Sequence, residues 1–197
     1  TEWLSEYLNR INNENLIDDL TDLGLEVDGM TKSGSGYVFD IDITPNRSDC
    51  LSIYGIARDL SAKYNSSLKK VSIKRVSFTK KSKLVKKIAS DISPNYSGIL
   101  IYDINNNIST PKQIKNRLNQ CGIHSINFIV DLVNYVMIDI GQPMHAFDAD
   151  RVVGPIGVRG SRKGESIKCL DLKEYTLKLG TPVIVDDTGP IAIAGVI

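Results

Sequence analysis

Residues 131–148, DLVNYVMIDIGQPMHAFD, contain the clearest structural pattern in the chain. They continue an apolar run that begins at Phe128 and predicts a buried strand or helix over residues 126–136. The sequence GQP at residues 141–143 ends this element in a tight turn. His145, one of the 2 histidines in the chain, follows that turn. An imidazole placed directly after a turn fits a binding site, but it also fits an ordinary loop, and spacing alone leaves both open.

The composition is that of a globular protein with one medium-sized domain or two small ones. The 197 residues are 42% hydrophobic and 24% charged, and the net charge is +1. Because this balance creates no global positive field, any contact with nucleic acid must come from a local patch. No apolar run is long enough to span a membrane, and we expect no export signal. The 3 cysteines form no CxxC pair, so we expect reduced thiols and neither a zinc site nor a disulfide framework.

The first 30 residues are predicted to be mainly helical. Apolar residues recur at helical spacing over residues 3–11 and again over residues 16–23, and Gly24 ends the second helix. Glycine and serine then dominate residues 33–36, which predicts a flexible linker.

A strand and a helix are predicted after this linker. Residues 37–43 alternate apolar and acidic side chains, as a half-exposed strand does. The sequence TPNR at residues 44–47 breaks the strand. Ser48 or Asp49 is expected to cap the following helix, whose apolar stripe extends to Leu60.

Residues 69–87 contain nine basic residues and no acidic residue. Apolar side chains alternate with the basic ones, which predicts a strand followed by a basic connector. This segment is either a solvated surface or a contact with an RNA backbone. In the second case the predicted RNA-binding residues are Lys69, Lys70, Lys74, Arg75, Lys80 and Lys81.

Helices and strands alternate in the remainder of the chain, which gives an α+β fold class overall. Pro111 is expected to open a helix that ends at Gly122. Five further strands are predicted, at residues 96–104, 156–159, 166–170, 174–179 and 183–185, and residues 191–197 form a last apolar segment.

The common catalytic and metal-binding motifs do not occur in this sequence. It contains no P-loop, no GxGxxG fingerprint and no GxSxG elbow. His124 and His145 lie 21 positions apart, without the HExxH spacing of a zinc site. We therefore predict no metal site and no nucleophilic catalytic residue.

Several long segments nevertheless resemble, in the same order, the beta subunit of bacterial phenylalanine–tRNA ligases. They are WL at 3–4, GLEVDG at 24–29, DIDITPNRSDCLS at 40–52, GIARDL at 55–60, CGIHSIN at 121–127 running into 131–148, and AIAGV at 192–196. Ordered strings of this length are far more specific than any single short motif.

The resemblance implies two structural parts. Residues 1–32 and 37–80 would form a small helical N-terminal domain similar to a winged helix. Residues 81–197 would form part of a tRNA-editing domain, incomplete at its C terminus. In the family an OB-fold tRNA-binding module lies at the position of residues 33–36, so the resemblance implies that the module is absent here.

The resemblance also implies a function in translation. In the family the alpha subunit makes Phe-tRNA with ATP and magnesium, two copies of each subunit form a heterotetramer, and the editing domain of the beta subunit hydrolyses Tyr-tRNA. Such editing is needed because an apolar pocket discriminates poorly against an added hydroxyl. By motif match, the editing-pocket residues are Asn134, His145 and His124. Asn134 would bind the ester or ribose, and His145 would orient a water molecule or bind the terminal ribose.

Some features depart from the family pattern. Val133 stands where the family usually has threonine, and His124 where it often has arginine. The glutamate that recognises the tyrosine hydroxyl is expected beyond residue 197. We therefore expect that this chain does not edit alone and binds no cofactor itself. The implied partners are the alpha subunit and tRNA, not DNA or a membrane, in the cytoplasm. The alternative is a non-catalytic scaffold or an RNA-binding module that uses residues 69–87.

Overall fold

The computed structural model describes residues 1–11, 13–71, 74–78, 85–88, 91–169 and 172–195, with the backbone alone for residues 85–88. The helices are α1 (Leu16–Asp22), α2 (Ile53–Lys63), α3 (Lys112–Gln120) and α4 (Phe128–Ile140). The strands are β1 (Glu26–Ser33), β2 (Gly36–Asp42), β3 (Val85–Ile88), β4 (Ile156–Gly160), β5 (Ser166–Lys168), β6 (Glu174–Thr176), β7 (Pro182–Val185) and β8 (Pro190–Ile193). This mixture of helices and sheets confirms the predicted α+β class. No described helix is both long and apolar enough to cross a lipid bilayer.

The chain forms two compact units. The first unit contains residues 1–75 and 105–146, and the second contains residues 76–104 and 147–197. Residues 105–146 pack with the N-terminal residues, because aromatic side chains near the start of the chain bind α4, as described below.

The core of the first unit is built mainly from leucine. Its fully buried members include Leu16 and Leu20, which lie one turn apart on α1. Burial of each such side chain contributes about 1.5–3 kcal/mol to stability. The apolar residues over positions 3–11 are also largely buried, but a single 3₁₀ turn, Leu4–Glu6, replaces the predicted first helix. The apolar side chains there are buried by tertiary packing, although the backbone forms no continuous helix.

Residues 33–36 form the tip of a β hairpin. β1 pairs antiparallel with β2, and Ser33 lies opposite Gly36. Gly34 has a φ angle of +59°, a conformation that two-residue hairpin turns require and glycine adopts without strain. The segment is therefore a turn of fixed register, which corrects the expectation of a flexible linker. The strand predicted over residues 37–43 is confirmed as β2.

The helix after the TPNR sequence begins later than predicted. Residues Pro45–Cys50 form a 3₁₀ segment, and the N-cap of α2 is Ser52, whose hydroxyl accepts a hydrogen bond from the Gly55 amide at 3.0 Å. The expected cap at Ser48 or Asp49 is wrong. Asp49 is unsuited to capping because its carboxylate binds two arginines.

The predicted strand at residues 96–104 does not form. These residues have no strand structure, and Ile99, Ile101 and Tyr102 are more than 60% exposed. Alternation of apolar residues produces a strand only where another strand is available for pairing. The helix predicted from Pro111 to Gly122 is confirmed as α3, and residues 126–136 belong to helix α4.

The second unit contains two sheets. Four strands are ordered β3-β4-β7-β8, with β3 parallel to β4 and the other pairs antiparallel. β5 and β6 form a separate antiparallel pair. Ile156, Val158 and Ile184 form one buried cluster of this unit.

Candidate functional site

Helix α4 is positioned at its start by two asparagines. Asn127, the last residue of the CGIHSIN segment, is the N-cap, and its Oδ1 accepts a hydrogen bond from the Val130 amide at 3.0 Å. Asn106 Oδ1 accepts another from the Ile129 amide at 3.2 Å. These bonds satisfy amide groups that have no partner within the helix.

The first turn of α4 contains a buried carboxylate. Asp131 is 0% exposed and accepts hydrogen bonds from Ser125 Oγ at 2.6 Å, from the Ile126 amide at 2.8 Å and from Thr110 Oγ1. Burial raises the pKa of Asp131, but these hydrogen bonds favour the ionised form and hold the pKa below its ordinary value. The Asp131 carboxylate therefore joins the loop before α4 to Thr110, which lies just before α3.

Glycine ends α4. Gly141 has a φ of +76°, and its amide donates to the Met137 carbonyl at 2.9 Å. A Cβ atom at this position would lie 3.2 Å from Ser52 Cβ, beside the N-cap of α2. The left-handed glycine lets the chain leave the helix towards His145 where no larger residue fits without adjustment.

The last turns of α4 are held by the N-terminal residues. Asp139 Oδ1 accepts hydrogen bonds from Trp3 Nε1 and from the Tyr7 hydroxyl, both at 2.8 Å. The Trp3 ring stacks on Tyr135 with 4.6 Å between centroids. Burial and the nearby Asp139 carboxylate raise the pKa of Tyr7, so its phenol remains a donor.

Arg117 of α3 completes this cluster. Its guanidinium lies 4.9 Å from the centre of the Trp3 ring and donates to the Tyr135 hydroxyl at 2.6 Å and to Glu6. Arg117 is 8% exposed, so its charge is balanced inside the protein and not by solvent. Together these contacts fix α3 and α4 against the N-terminal segment.

The three predicted editing-pocket residues all lie in the first unit. Asn134 lies in the middle of α4 and is half-buried, whereas His145 and His124 are exposed in the segments that follow and precede this helix. The arrangement of these three side chains in one pocket stays a prediction.

The predicted RNA-binding residues fall into two groups. Lys69, Lys70, Lys74 and Arg75 are exposed at the end of the first unit, and the Lys69 ammonium donates to the Ser5 carbonyl at 2.7 Å. Lys80 and Lys81 lie outside the described residues.

The TPNR region contains an acidic cluster that is already neutralised. Asp49, Cys50 and Asp59 bring their potential ligand atoms within 4.8 Å of one another. Arg47 donates to both carboxylates and contacts Cys50 Sγ at 2.9 Å, while Arg58 also binds both aspartates. The hydrogen bond from Arg47 lowers the pKa of Asp49, and burial raises the pKa of the Cys50 thiol. These charges favour a structural ion-pair cluster over a cation site.

Two further carboxylates organise the second unit. Asp186 accepts hydrogen bonds from the amide of Val153 at 2.9 Å and from the amide and hydroxyl of Thr188. Glu165 forms a bidentate pair with Arg159, at 2.8 and 2.6 Å. This pairing and the Arg162 amide lower the pKa of Glu165 to about 2.

Trp3, Arg117 and Asp131 have structural roles that the sequence alone did not predict. For Asp131 one signal was available, since a lone acid in an apolar run predicts a buried, hydrogen-bonded carboxylate. No comparable local signal pointed to Trp3 and Arg117, because their partners are far away in sequence.

The family model for the B3/4 domain matches residues 92–197. The phenylalanine–tRNA ligase beta subunit of Francisella tularensis is 43% identical over 160 residues, which cover 81% of this chain and 20% of that protein. The beta subunit of Neisseria meningitidis serogroup A is 40% identical over 159 residues, covering 80% of this chain and 20% of that protein. The chain thus spans about a fifth of the length of these curated relatives.

Among solved structures, an N-terminal fragment of the Pyrococcus horikoshii phenylalanyl-tRNA synthetase beta subunit is similar, with 19% identity and a TM-score of 0.43 over 96% of this chain and 56% of that one. The B3/4 model matches more than half of the chain, and the matched relatives carry one name. The chain therefore belongs to the B3/4 domain family, in the form found in phenylalanine–tRNA ligase beta subunits.

Proposed function

We propose that this chain is part of the beta subunit of a phenylalanine–tRNA ligase and acts in Phe-tRNA synthesis. The sequence identity of 43% to one such subunit, over 81% of the chain, is the observation that carries the proposal. The partners in this role are the alpha subunit and tRNA, in the cytoplasm. ATP and magnesium serve the parent complex, in which the alpha subunit carries out aminoacylation.

Within this role, we assign residues 81–197, by sequence resemblance, to a partial editing domain and residues 1–32 and 37–80 to a winged-helix-like N-terminal domain. Residues 105–146 of the proposed editing domain then pack within the first unit. The B3/4 match over residues 92–197 supports the first assignment. The substrate of editing is Tyr-tRNA, whose extra hydroxyl a phenylalanine pocket cannot reject strongly.

The editing chemistry is assigned to Asn134 and His145. The Asn134 amide donates to the ester or terminal ribose, and the His145 imidazole accepts a proton from the attacking water or binds the ribose. The exposure of His145 and the half-exposure of Asn134 support this assignment, since an RNA 3′ end must reach them from solvent. Helix α4, tied down at Asp131 and Asp139, provides a rigid base for Asn134.

Hydrolysis by the chain alone is not expected. Val133 and His124 depart from the family pattern, and the arginine missing at position 124 removes a permanent positive charge near the RNA. We therefore expect the chain to bind the ester end of Tyr-tRNA while hydrolysing it no faster than buffer does.

A binding experiment tests this assignment. Affinities of the chain are measured for tRNA carrying tyrosine through a non-hydrolysable 3′ amide and for uncharged tRNA. We expect tighter binding of the aminoacylated form, and loss of that preference in His145→Ala and Asn134→Ala. Asp150→Ala, which removes another exposed polar side chain, is the control. Equal affinity for both tRNA forms would contradict the assigned site, and hydrolysis of Tyr-tRNA that His145→Ala abolishes would contradict the expected inactivity.

A second candidate function is a non-catalytic scaffold or RNA-binding module that uses residues 69–87. The exposure of Lys70, Lys74 and Arg75 favours it. In that case tRNA affinity would fall steeply with salt and would drop in Lys74→Glu/Arg75→Glu, without any preference for the aminoacylated form.

A further inference from the structure

Helix α3 and the hairpin tip enclose a polar depression of about 430 Å³ in the first unit, which we call the α3 groove. Four amide side chains of α3 line it, together with the hairpin turn: Gln113, Asn116, Asn119, Gln120, Ser33 and Gly34. Gln120 Nε2 donates to Ser33 Oγ at 2.7 Å, which joins the two sides. Asn134, His145 and His124 do not line this groove.

The α3 groove offers unused hydrogen-bonding groups. Gln113, Asn116 and Asn119 are exposed, and within the described residues their side-chain amides have no hydrogen-bond partner. Each amide carries two donor hydrogens and one acceptor oxygen. Leu118 of α3 is fully buried on another face of the helix, and Arg117, which also lines the groove, already binds Glu6 and Tyr135. Part of the α3 surface thus packs within the first unit, and another part presents amides to solvent.

The two charged residues that line the α3 groove, Glu2 and Arg117, have opposite signs. Arg117 is paired with Glu6, and the Glu2 carboxylate accepts a hydrogen bond from Ser35 Oγ at 2.6 Å. The positive charge available to a ligand lies beside the groove. Lys112, at the start of α3, is exposed and carries a charge that can contact a phosphate.

This combination indicates the chemistry of the ligand. Pockets for small molecules are lined mainly by apolar and aromatic side chains, which the α3 groove lacks. Asparagine and glutamine instead pair with the donor and acceptor groups on base edges, and RNA is recognised by proteins chiefly through unpaired bases. We propose that the α3 groove is an RNA-contact surface, where the amides bind base edges or ribose hydroxyls and Lys112 binds the backbone.

Isosteric charge substitution tests the α3 groove directly. Gln113→Glu/Asn116→Asp adds two negative charges to the groove with almost no change in side-chain volume. Position 113 lies in the first turn of α3, where the helix dipole favours an acid, and position 116 is exposed in the second turn, so folding should be preserved. Asn13→Asp/Asn46→Asp is the matched control, because it adds the same charge at exposed asparagines that do not line the groove.

Binding of a fluorescently labelled tRNA transcript is measured by anisotropy at low salt. We expect the groove variant to weaken binding at least tenfold and the control variant less than twofold, with unchanged circular dichroism. Equal losses in both variants, no loss in the groove variant, or no binding of the unmodified chain would overturn the proposal. The groove variant should weaken binding of aminoacylated and uncharged tRNA by the same factor, whereas the editing assignment concerns the ratio of those two affinities, so failure of the one and failure of the other are distinguishable.

Discussion

Removal of the Asp131 carboxylate should strongly destabilise the first unit. Asp131→Ala deletes the acceptor of three hydrogen bonds, and the donors on Thr110, Ser125 and Ile126 are left without it. Asp131→Asn preserves the shape of the side chain but replaces one acceptor oxygen with a donor group. The two substitutions therefore separate loss of the whole group from loss of its charge.

The magnitude follows from the number and kind of bonds. A hydrogen bond to a charged group contributes about 1.5–3 kcal/mol, and these contributions are not fully additive within one network. We expect Asp131→Ala to lower the free energy of unfolding by about 3–5 kcal/mol and Asp131→Asn by about 1–2 kcal/mol. The larger value is a large fraction of the stability of an ordinary domain.

Urea unfolding monitored by tryptophan fluorescence measures this effect. Trp3 is the only tryptophan, is 7% exposed and stacks on Tyr135 of α4, so its signal reports the first unit. Asp28→Ala is the control, because it removes an exposed carboxylate in the same unit and should change stability by less than about 0.5 kcal/mol. A loss below about 1 kcal/mol in Asp131→Ala would refute the assigned role of the three hydrogen bonds.

The pH dependence provides an independent check. Because the native pKa of Asp131 lies below its ordinary value of 3.8, its ionisation stabilises the folded state above that value. The stabilisation is lost as pH falls through the lowered native pKa. The difference in stability between the unmodified chain and Asp131→Asn should therefore be largest near neutral pH and should shrink below about pH 4.

Two further predictions concern the end of α4 and the second unit. Gly141→Ala should cost about 1–2 kcal/mol in urea unfolding, more than Gly122→Ala, because both glycines have positive φ but only Gly141 would bring a Cβ close to Ser52. Equal costs would show that the contact with Ser52 is unimportant. An NMR titration should give Glu165 a pKa of about 2, and Arg159→Gln should return that pKa towards its ordinary range. Because the native pKa is lowered, the pair stabilises the folded state above the ordinary pKa of a glutamate, and this stabilisation is lost as pH falls towards 2. An unchanged pKa in Arg159→Gln would exclude the ion pair as its cause.

The elements predicted well are those with local signals at both ends. Pro111 and Gly122 mark the ends of α3, and the alternating residues after the hairpin turn form β2. For α4 the apolar run predicted burial but not the choice between helix and strand, since its side chains are apolar on nearly every face. The N-cap at Asn127 and the left-handed glycine at Gly141 favour a helix over a strand.

The failures depended on partners distant in sequence. Residues 96–104 alternate as a strand does, but no described strand pairs with them. Asp139 binds Trp3 across 136 positions, which no local pattern encodes. For the candidate site, Asn134 and His145 were predicted through family resemblance. The contacts that hold α4 in place are visible only in the three-dimensional structure.

The hairpin turn has a consequence for the evolution of the chain. Because Ser33 and Gly36 face each other across an antiparallel pair, the chain leaves and re-enters the first unit at points only about 5 Å apart. A separate domain with neighbouring termini can therefore be gained or lost between them without a change in the register of β1 and β2. The hairpin tip is thus a natural insertion point, where a module can be added without disturbing the packing of the first unit.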